Sequence, residues 1–459
     1  MTDRRTRRAL IAGLGLVLSA AALATRLRSR TLLTDPGPPT SFTPARFPLR
    51  VATAGRFLED ADGRPFLLGG DAAWSLIAAL GLDDARFYLE DRRARGFNAI
   101  LVSLLEQHFS RSPPQNAAGD APFLMANDYR TPNPVYFDHA ERVLRLARDK
   151  GLLVLLTPSY LGAGGGPEGW WQAMVANGAS RLRGYGRFLG RRFGAFENIV
   201  WVNGGDFDPP DKAPVRAIAE GLRETMPNAL QTVHASAEHS GLEAWPGEDW
   251  LAIDTIYTYG PVEAGARQAF RRPEKRPFIL IESAYENEHG ASEERLRAQA
   301  WQAVLGGATG QIFGNNPIWH FNGPGIFDAP TDWRGALDSQ GARSMTHLRA
   351  LMDTLPWPSL QPDLDNRVLK TVSGPEAECV AALAEDGSLM LAYTAAARPV
   401  SLDLRAMASA RLRERWFDPS SGRFGPASGS GPPNCREYPI PGRNAAGFGD
   451  WVLLIERNE

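Results

Sequence analysis

Cysteine is nearly absent: among 459 residues only Cys379 and Cys435 occur. Two cysteines exclude a cysteine-rich scaffold, a four-cysteine zinc site and a CxxC redox motif. They leave room for one disulfide if the chain is exported, or for two buried thiols if it is not. Histidine is also scarce, and none of the 7 forms HxH or HExxH, so a metal-dependent hydrolase lacks its usual paired ligands. No GxSxG nucleophile elbow occurs either. An excess of one charge is lacking too: 50 basic residues face 52 acidic ones, for a net charge of -2. No sustained basic block lies outside the N-terminus, which excludes the usual footprint of a nucleic-acid partner. Small neutral substrates suit such a chain better.

Long hydrophobic runs are missing. The stretch from Ala9 to Ala24 has 16 residues, short of the roughly 20 of a spanning helix. It follows Arg4, Arg5, Arg7 and Arg8 and ends on Ala22-Leu23-Ala24, the pattern of an export signal with its cleavage site. Residues 1–30 are therefore expected to be a signal peptide. Arg26, Arg28 and Arg30, just behind the run, favour an uncleaved N-terminal anchor as the alternative. Either way the expected location is exported (periplasm, cell envelope or secreted), with membrane association through this segment only. Residues 31–46, with their Pro and Thr, read as a linker.

What is present is ordinary globular material, 43% hydrophobic and 22% charged. After a hairpin around Ala61-Asp62-Gly63, short apolar strands alternate with amphipathic helices from Arg64 to Thr354. Eight strands are counted, most followed by a helix. Residues 47–356 are thus expected to form an α/β domain, a (β/α)8 TIM barrel. Beyond Pro356 the texture changes to short alternating strands (Val368–Thr371, Cys379–Leu383, Ser388–Tyr393, Leu412–Phe417 and Trp451–Ile455) separated by Gly, Ser and Pro. Residues 357–459 read as a C-terminal all-β sandwich domain.

Two strands end on acids. Ile199-Val200-Trp201-Val202 runs into Gly204-Gly205-Asp206, and Phe278-Ile279-Leu280-Ile281 runs into Glu282. Parallel barrels place their chemistry at the carboxyl ends of their strands, and two facing carboxylates are the minimal kit for glycosidic bond cleavage. Alone, either acid reads as a cap on the next helix or loop; the pair does not. The nearby Asp208, Glu286 and Glu288 read as loop caps. Gly164-Gly165-Gly166-Pro167-Glu168-Gly169 matches GxGxxG after a strand, but no ribose-binding acid stands about 20 residues on, so it is a glycine loop. No cofactor is implied. A rival class is a carbohydrate-binding or cell-surface barrel without activity; the retention of both acids argues against it.

Longer motifs carry a resemblance. Pro65-Phe66-Leu67-Leu68-Gly69-Gly70-Asp71-Ala72-Ala73-Trp74, Arg95-Gly96-Phe97-Asn98, Pro132-Asn133-Pro134-Val135-Tyr136-Phe137, Gly204-Gly205-Asp206 and Phe313-Gly314-Asn315-Asn316-Pro317-Ile318-Trp319 resemble the apiosidase-like glycoside hydrolases. Trp416-Phe417-Asp418-Pro419 and Asp450-Trp451-Val452-Leu453 look like the collagen-binding-type β-sandwich that comes after this barrel. The resemblance implies a retaining two-carboxylate glycosidase acting on a carbohydrate substrate, with Asp206 as acid/base and Glu282 as nucleophile. Gly205 stands where many related barrels have Asn, and Phe313 where relatives often have Tyr.

The reaction needs one carboxyl protonated near neutral pH and one ionised. Asp206, beside Phe207 and behind two glycines, is expected to be the acid with the raised pKa. Substrate-binding residues are expected at other strand ends: Asp71, Trp74, His234, Tyr257, Tyr259, Asn315, Asn316 and Trp319, types that hydrogen-bond and stack on sugars. Singly, each has a structural reading, Asp71 as a loop anchor, His234 as a satisfied buried imidazole and Tyr257 as core.

Overall fold

The alternation of strand and helix resolves into a parallel barrel. A computed structural model describes residues 42–370, 379–395, 397–407 and 411–458; the expected signal or anchor lies outside them. Among the described residues no helix is long and apolar enough to cross a membrane. The barrel strands are β1 (Leu68–Ala72), β2 (Ala99–Ser103), β3 (Leu153–Thr157), β4 (Ile199–Gly204), β5 (Gln231–His234), β6 (Asp254–Tyr257), β7 (Phe278–Glu282) and β8 (Gly310–Phe313). They pair in parallel in the order β5-β4-β3-β2-β1-β8-β7-β6. The ring closes between β5 and β6 through Ala252 N–H to Gln231 O at 2.9 Å and the Thr255 hydroxyl to Val233 O at 2.7 Å.

Period-2 alternation decides which side chains fill the barrel. Leu68, Ala72, Ala99, Leu101, Leu153, Leu155, Val200, Val202, Ile279, Ile281 and Ile312 share the interior cluster. Ile100, Val102, Val154, Leu156, Ile199 and Trp201 face the helices instead. Those helices are α1 (Leu82–Ala94), α2 (Pro134–Asp149), α3 (Trp171–Phe193), α4 (Ala213–Thr225), α5 (Val262–Arg271), α6 (Glu293–Leu305) and α7 (Gln340–Met352). Starts are set by side-chain caps: Asn133 accepts from Val135 N–H before Pro134, and Ser292 and Ser339 cap α6 and α7. A small antiparallel sheet, in which Leu58 pairs with Phe66, sends Leu49, Leu58 and Phe66 into the barrel interior.

The C-terminal strands β9 (Leu360–Pro362), β10 (Cys379–Ala384), β11 (Leu389–Thr394), β12 (Val400–Leu402), β13 (Arg411–Phe417), β14 (Phe424–Pro426), β15 (Arg436–Tyr438) and β16 (Trp451–Asn458) form two antiparallel sheets. Six strands run β9-β10-β11-β16-β13-β14, and β12 pairs with β15. Alternation makes the larger sheet apolar on both faces. Val380, Ala382, Leu391, Tyr393, Val452 and Leu454 pack on α6 and α7 of the barrel. Cys379, Ala381, Met390, Ala392, Trp451 and Leu453 pack against Val400, Leu402 and Tyr438 of the smaller sheet. One face therefore serves as the barrel's neighbour. Of the expected strand Val368–Thr371, residues 368–370 form no strand, although Leu369 bridges Leu402, and Thr371 lies outside the described residues. Cys379 is buried and Cys435 exposed, and no disulfide joins them.

Candidate active site

At the carboxyl ends of the strands a cavity of about 330 Å³ opens, with Asp206 and Glu282 in its wall. Each acid arrives there by a departure from regular strand geometry. On β7, Ile279 and Ile281 point inward, so simple alternation would turn Glu282 outward. A register shift between Leu280 and Glu282, which sets Glu282 beside Tyr257, turns it into the mouth instead. After β4, Gly204, Gly205 and Asp206 have φ of 82°, 130° and 50°, three successive residues outside the right-handed regions. This bend folds Asp206 back over the barrel. Gly164 N–H donates to Asp206 O at 3.0 Å, so the glycine loop that mimics a nucleotide motif braces the acid.

His234, fully buried at the end of β5, joins the two. Its Nε2 lies 2.8 Å from Glu282 Oε2, and its Nδ1 lies 3.1 Å from Ala235 O and 3.3 Å from Asp206 N. The Asp206 carboxylate, the His234 ring and Glu282 offer atoms all within 4.8 Å of one another. Such a trio has the composition of a metal site. The same Nε2 lies within hydrogen-bond distance of Glu282, so these atoms also form a proton-sharing network.

The electrostatics derive from burial. Burial pushes the Glu282 carboxyl up to about 7, helped by the charge of Asp206 and opposed by the His234 hydrogen bond. Burial alone would lower His234, but the hydrogen bond to Glu282 and the charges of Asp206 and Glu282 leave it raised. Glu282 is thus a buried carboxyl facing a second negative charge, that of Asp206. Tyr160 donates its hydroxyl to Asp206 Oδ2 at 2.6 Å, and burial beside Asp206 keeps that phenol protonated.

Five of the eight expected binding residues gather around the acids. Trp74, Tyr257, Tyr259 and Trp319 line the cavity, and His234 contacts Glu282. The Tyr257 hydroxyl donates to that of Tyr259 at 3.1 Å, which in turn points to Glu282 Oε1 at 3.5 Å. Asp71, Asn315 and Asn316 are placed elsewhere. Asp71 sits one residue out of phase with Gly70 and Ala72, so it faces α1, accepting from Tyr88 at 2.7 Å and pairing with Arg92 at 3.4 Å. Asn315 donates to Glu286, and Asn316 donates to Phe327 O and Asp328 O, shaping the loops behind the wall.

Sequence reasoning missed Tyr160, Tyr285 and Glu288. Tyr285 accepts from Trp74 Nε1 at 2.9 Å, and its ring occupies the space beside Gly314, where a Cβ would lie 2.3 Å from it. The loop-cap reading fits Glu286, which accepts from Ser339 Oγ and Gly341 N at the start of α7. It fits Asp208 as well, which accepts from Ser236 N and pairs with His239 at 2.6 Å. It does not fit Glu288, which lines the cavity and accepts from Trp319 Nε1 at 2.7 Å. Phe313 packs on Phe97 on the outer side of β8, so a hydroxyl there would not reach the cavity.

Comparison with known proteins agrees with this architecture. No curated protein matches the chain. A solved structure described as a glycoside hydrolase superposes with a TM-score of 0.78 at 23% identity, covering 91% of this chain and 99% of that one. A glycoside hydrolase family 5 structure from Bacteroides vulgatus gives 0.77 at 21% identity, covering 90% and 95%. These likenesses show the fold. Residues 363–456 match the family described as a collagen-binding domain of a collagenase. Residues 52–359, well over half the chain, match the family described as apiosidase-like, catalytic domain. The chain belongs to the apiosidase-like family, and its barrel is that of a glycosidase.

Proposed function

We propose that the protein cleaves glycosidic bonds by a retaining mechanism, with Asp206 as acid/base and Glu282 as nucleophile. The observation that carries this reading is the approach of the two carboxylates, one just after β4 and one at the end of β7, to within 4.8 Å across the cavity mouth. Glu282 attacks the anomeric carbon with one carboxylate oxygen while Asp206 gives its proton to the departing glycosidic oxygen. Water, deprotonated by Asp206, then displaces Glu282 and restores both groups. His234 donates from Nε2 to Glu282 and so favours its ionised form, as attack requires. Trp74, Tyr257, Tyr259 and Trp319 supply the faces and hydroxyls for a sugar. The substrate is a plant or bacterial polysaccharide or oligosaccharide. The Arg-rich start and Ala22-Leu23-Ala24 support export, which N-terminal sequencing of protein from the cell envelope tests.

Asp206→Asn and Glu282→Gln keep shape and remove ionisation, so each should lower turnover of a responsive glycoside by about three orders of magnitude or more. Asp208→Asn, at an ion pair outside the cavity, should do far less, and EDTA should leave activity unchanged. Full activity in either active-site variant would overturn the assignment.

A further inference from the structure

Four carboxylates line the cavity and, among the described residues, no lysine or arginine does. Three are accounted for, Glu106 by the turn it closes and Asp206 and Glu282 by the cleavage assigned to them. Glu106 Oε1 accepts the backbone N–H groups of Gln107, His108 and Phe109 at 2.9 to 3.0 Å, and its Oε2 accepts from the Ser75 hydroxyl at 2.7 Å. Asp206 takes the Tyr160 hydroxyl, and Glu282 is engaged by His234. Glu288 is different. Its Oε1 accepts from Trp319, which fixes the carboxylate plane, while among the described residues nothing donates to Oε2. The side chain is held in a wall that leaves the residue 9% exposed, and that wall is the cavity's.

A carboxylate oxygen so placed is a strong acceptor that lacks a donor, and burial has already pushed the group's pKa up. Sugar hydroxyls are such donors. A uronic acid would instead bring a fifth carboxylate into a space that, among the described residues, no lysine or arginine lines, and like charges repel in low dielectric.

Building on the glycosidase reading, we propose that Glu288, held by Trp319, is the sugar-recognition residue of this site. Its free oxygen accepts a hydroxyl of the bound sugar, and the cavity it completes takes neutral polyhydroxylated glycosides and rejects uronides.

The test separates binding from cleavage. Aryl 1-thioglycosides of pentoses and hexoses, the matching uronides and monodeoxy analogues are titrated against the full chain, with fluorescence of Trp74 and Trp319 as the signal. The matching O-glycosides report turnover. The native protein should bind a neutral thioglycoside about 100-fold more tightly than its uronide, and at least one monodeoxy analogue about 10-fold more weakly than its parent. Glu288→Gln, which removes one charge and keeps the shape, should narrow the neutral-to-uronide gap about 10-fold. Glu288→Ala should bind parent and deoxy sugar alike. Uronide binding equal to neutral binding, equal weakening of parent and deoxy sugar in both variants, or no binding across the panel would each overturn the proposal. The expected binding pattern without turnover of the O-glycosides would sustain it and overturn the catalytic reading.

Discussion

The ring of Tyr160 occupies the space that a side chain at Gly205 would need: a Cβ there would lie 2.3 Å from Tyr160 Cδ2. The same tyrosine donates to Asp206 at 2.6 Å, so the absence of a side chain at 205 and the hydrogen bond at 206 are one arrangement. The missing side chain before the acid leaves room for a phenol from the loop after β3.

Gly205→Ala should therefore damage the site twice. At φ 130° an alanine is strained by about 1–3 kcal/mol, and its methyl displaces the Tyr160 ring from Asp206. The expected outcome is a lower melting temperature and a fall in kcat. Tyr160→Phe keeps the ring and the fold, and should lower kcat alone. Normal kcat in Gly205→Ala would show that Tyr160 has no part in placing Asp206.

The acid pair and most of the barrel are legible in the sequence because buried parallel strands and their terminal acids are local patterns. Gly204-Gly205-Asp206 and Glu282 need only the ends of two apolar runs. Asp71 is misplaced by that reading although the signal is present: Leu68, Gly70 and Ala72 fix the inward phase, and Asp71 falls between them. The register shift that turns Glu282 inward leaves no comparable mark, since Ile281-Glu282 reads as continued strand. Tyr160 and Glu288 act through loops whose path depends on packing from other elements. Their roles are set by contacts 46 residues away, to Asp206, and 31 residues away, to Trp319. The short strands of the C-terminal domain, such as Val400–Leu402, carry too few residues to show their period.

The pH profile should report Glu282. With that carboxyl pushed up to about 7, kcat/KM should fall as pH drops through about 7, because attack needs the ionised form. His234→Asn removes a group that pulls Glu282 down, so the acid limb should move to higher pH. Asp206→Asn removes a charge that pushes it up, so the limb of the residual activity, measured on an aryl glycoside with a good leaving group, should move to lower pH. A shift in the opposite sense in either variant would break the proposed coupling. The folded-state pKa also lies above the ordinary 4.5. Glu282 therefore contributes stability that is full below about 4.5 and lost as pH rises through about 7. Glu282→Gln should melt higher than the native protein at pH 8 and much the same at pH 4.

Behind the site, Arg297 of α6 pairs with Asp450 at 2.6 and 2.8 Å, both residues being almost fully buried. Tyr393 and Asn444 also donate to Asp450. Asp450→Ala leaves the Arg297 charge unpaired in the interface and should cost about 3–5 kcal/mol of stability, read in a denaturant titration. Because α6 comes directly after the loop carrying Glu288, kcat should fall with it. A variant as stable as the native protein would mean that the sheet is not a brace for the barrel.

The stereochemical outcome is the sharpest consequence of the two acids' approach. Retaining glycosidases hold their carboxyls about 5 to 5.5 Å apart so that one can bond to the sugar, while inverting ones leave about 6.5 to 9.5 Å for a water. The nearest oxygens of Asp206 and Glu282 lie within 4.8 Å, which favours direct attack. Asp206 is one methylene shorter than glutamate, which alone would widen the gap. The positive φ at Gly204, Gly205 and Asp206 advances the backbone over the barrel and offsets the shorter arm. Retention through a glycosyl-Glu282 intermediate is the expected outcome. NMR of the product anomers in the first minutes, before mutarotation, checks it: a product that first appears with inverted configuration would leave Glu282 as a base and remove it from the nucleophile's place.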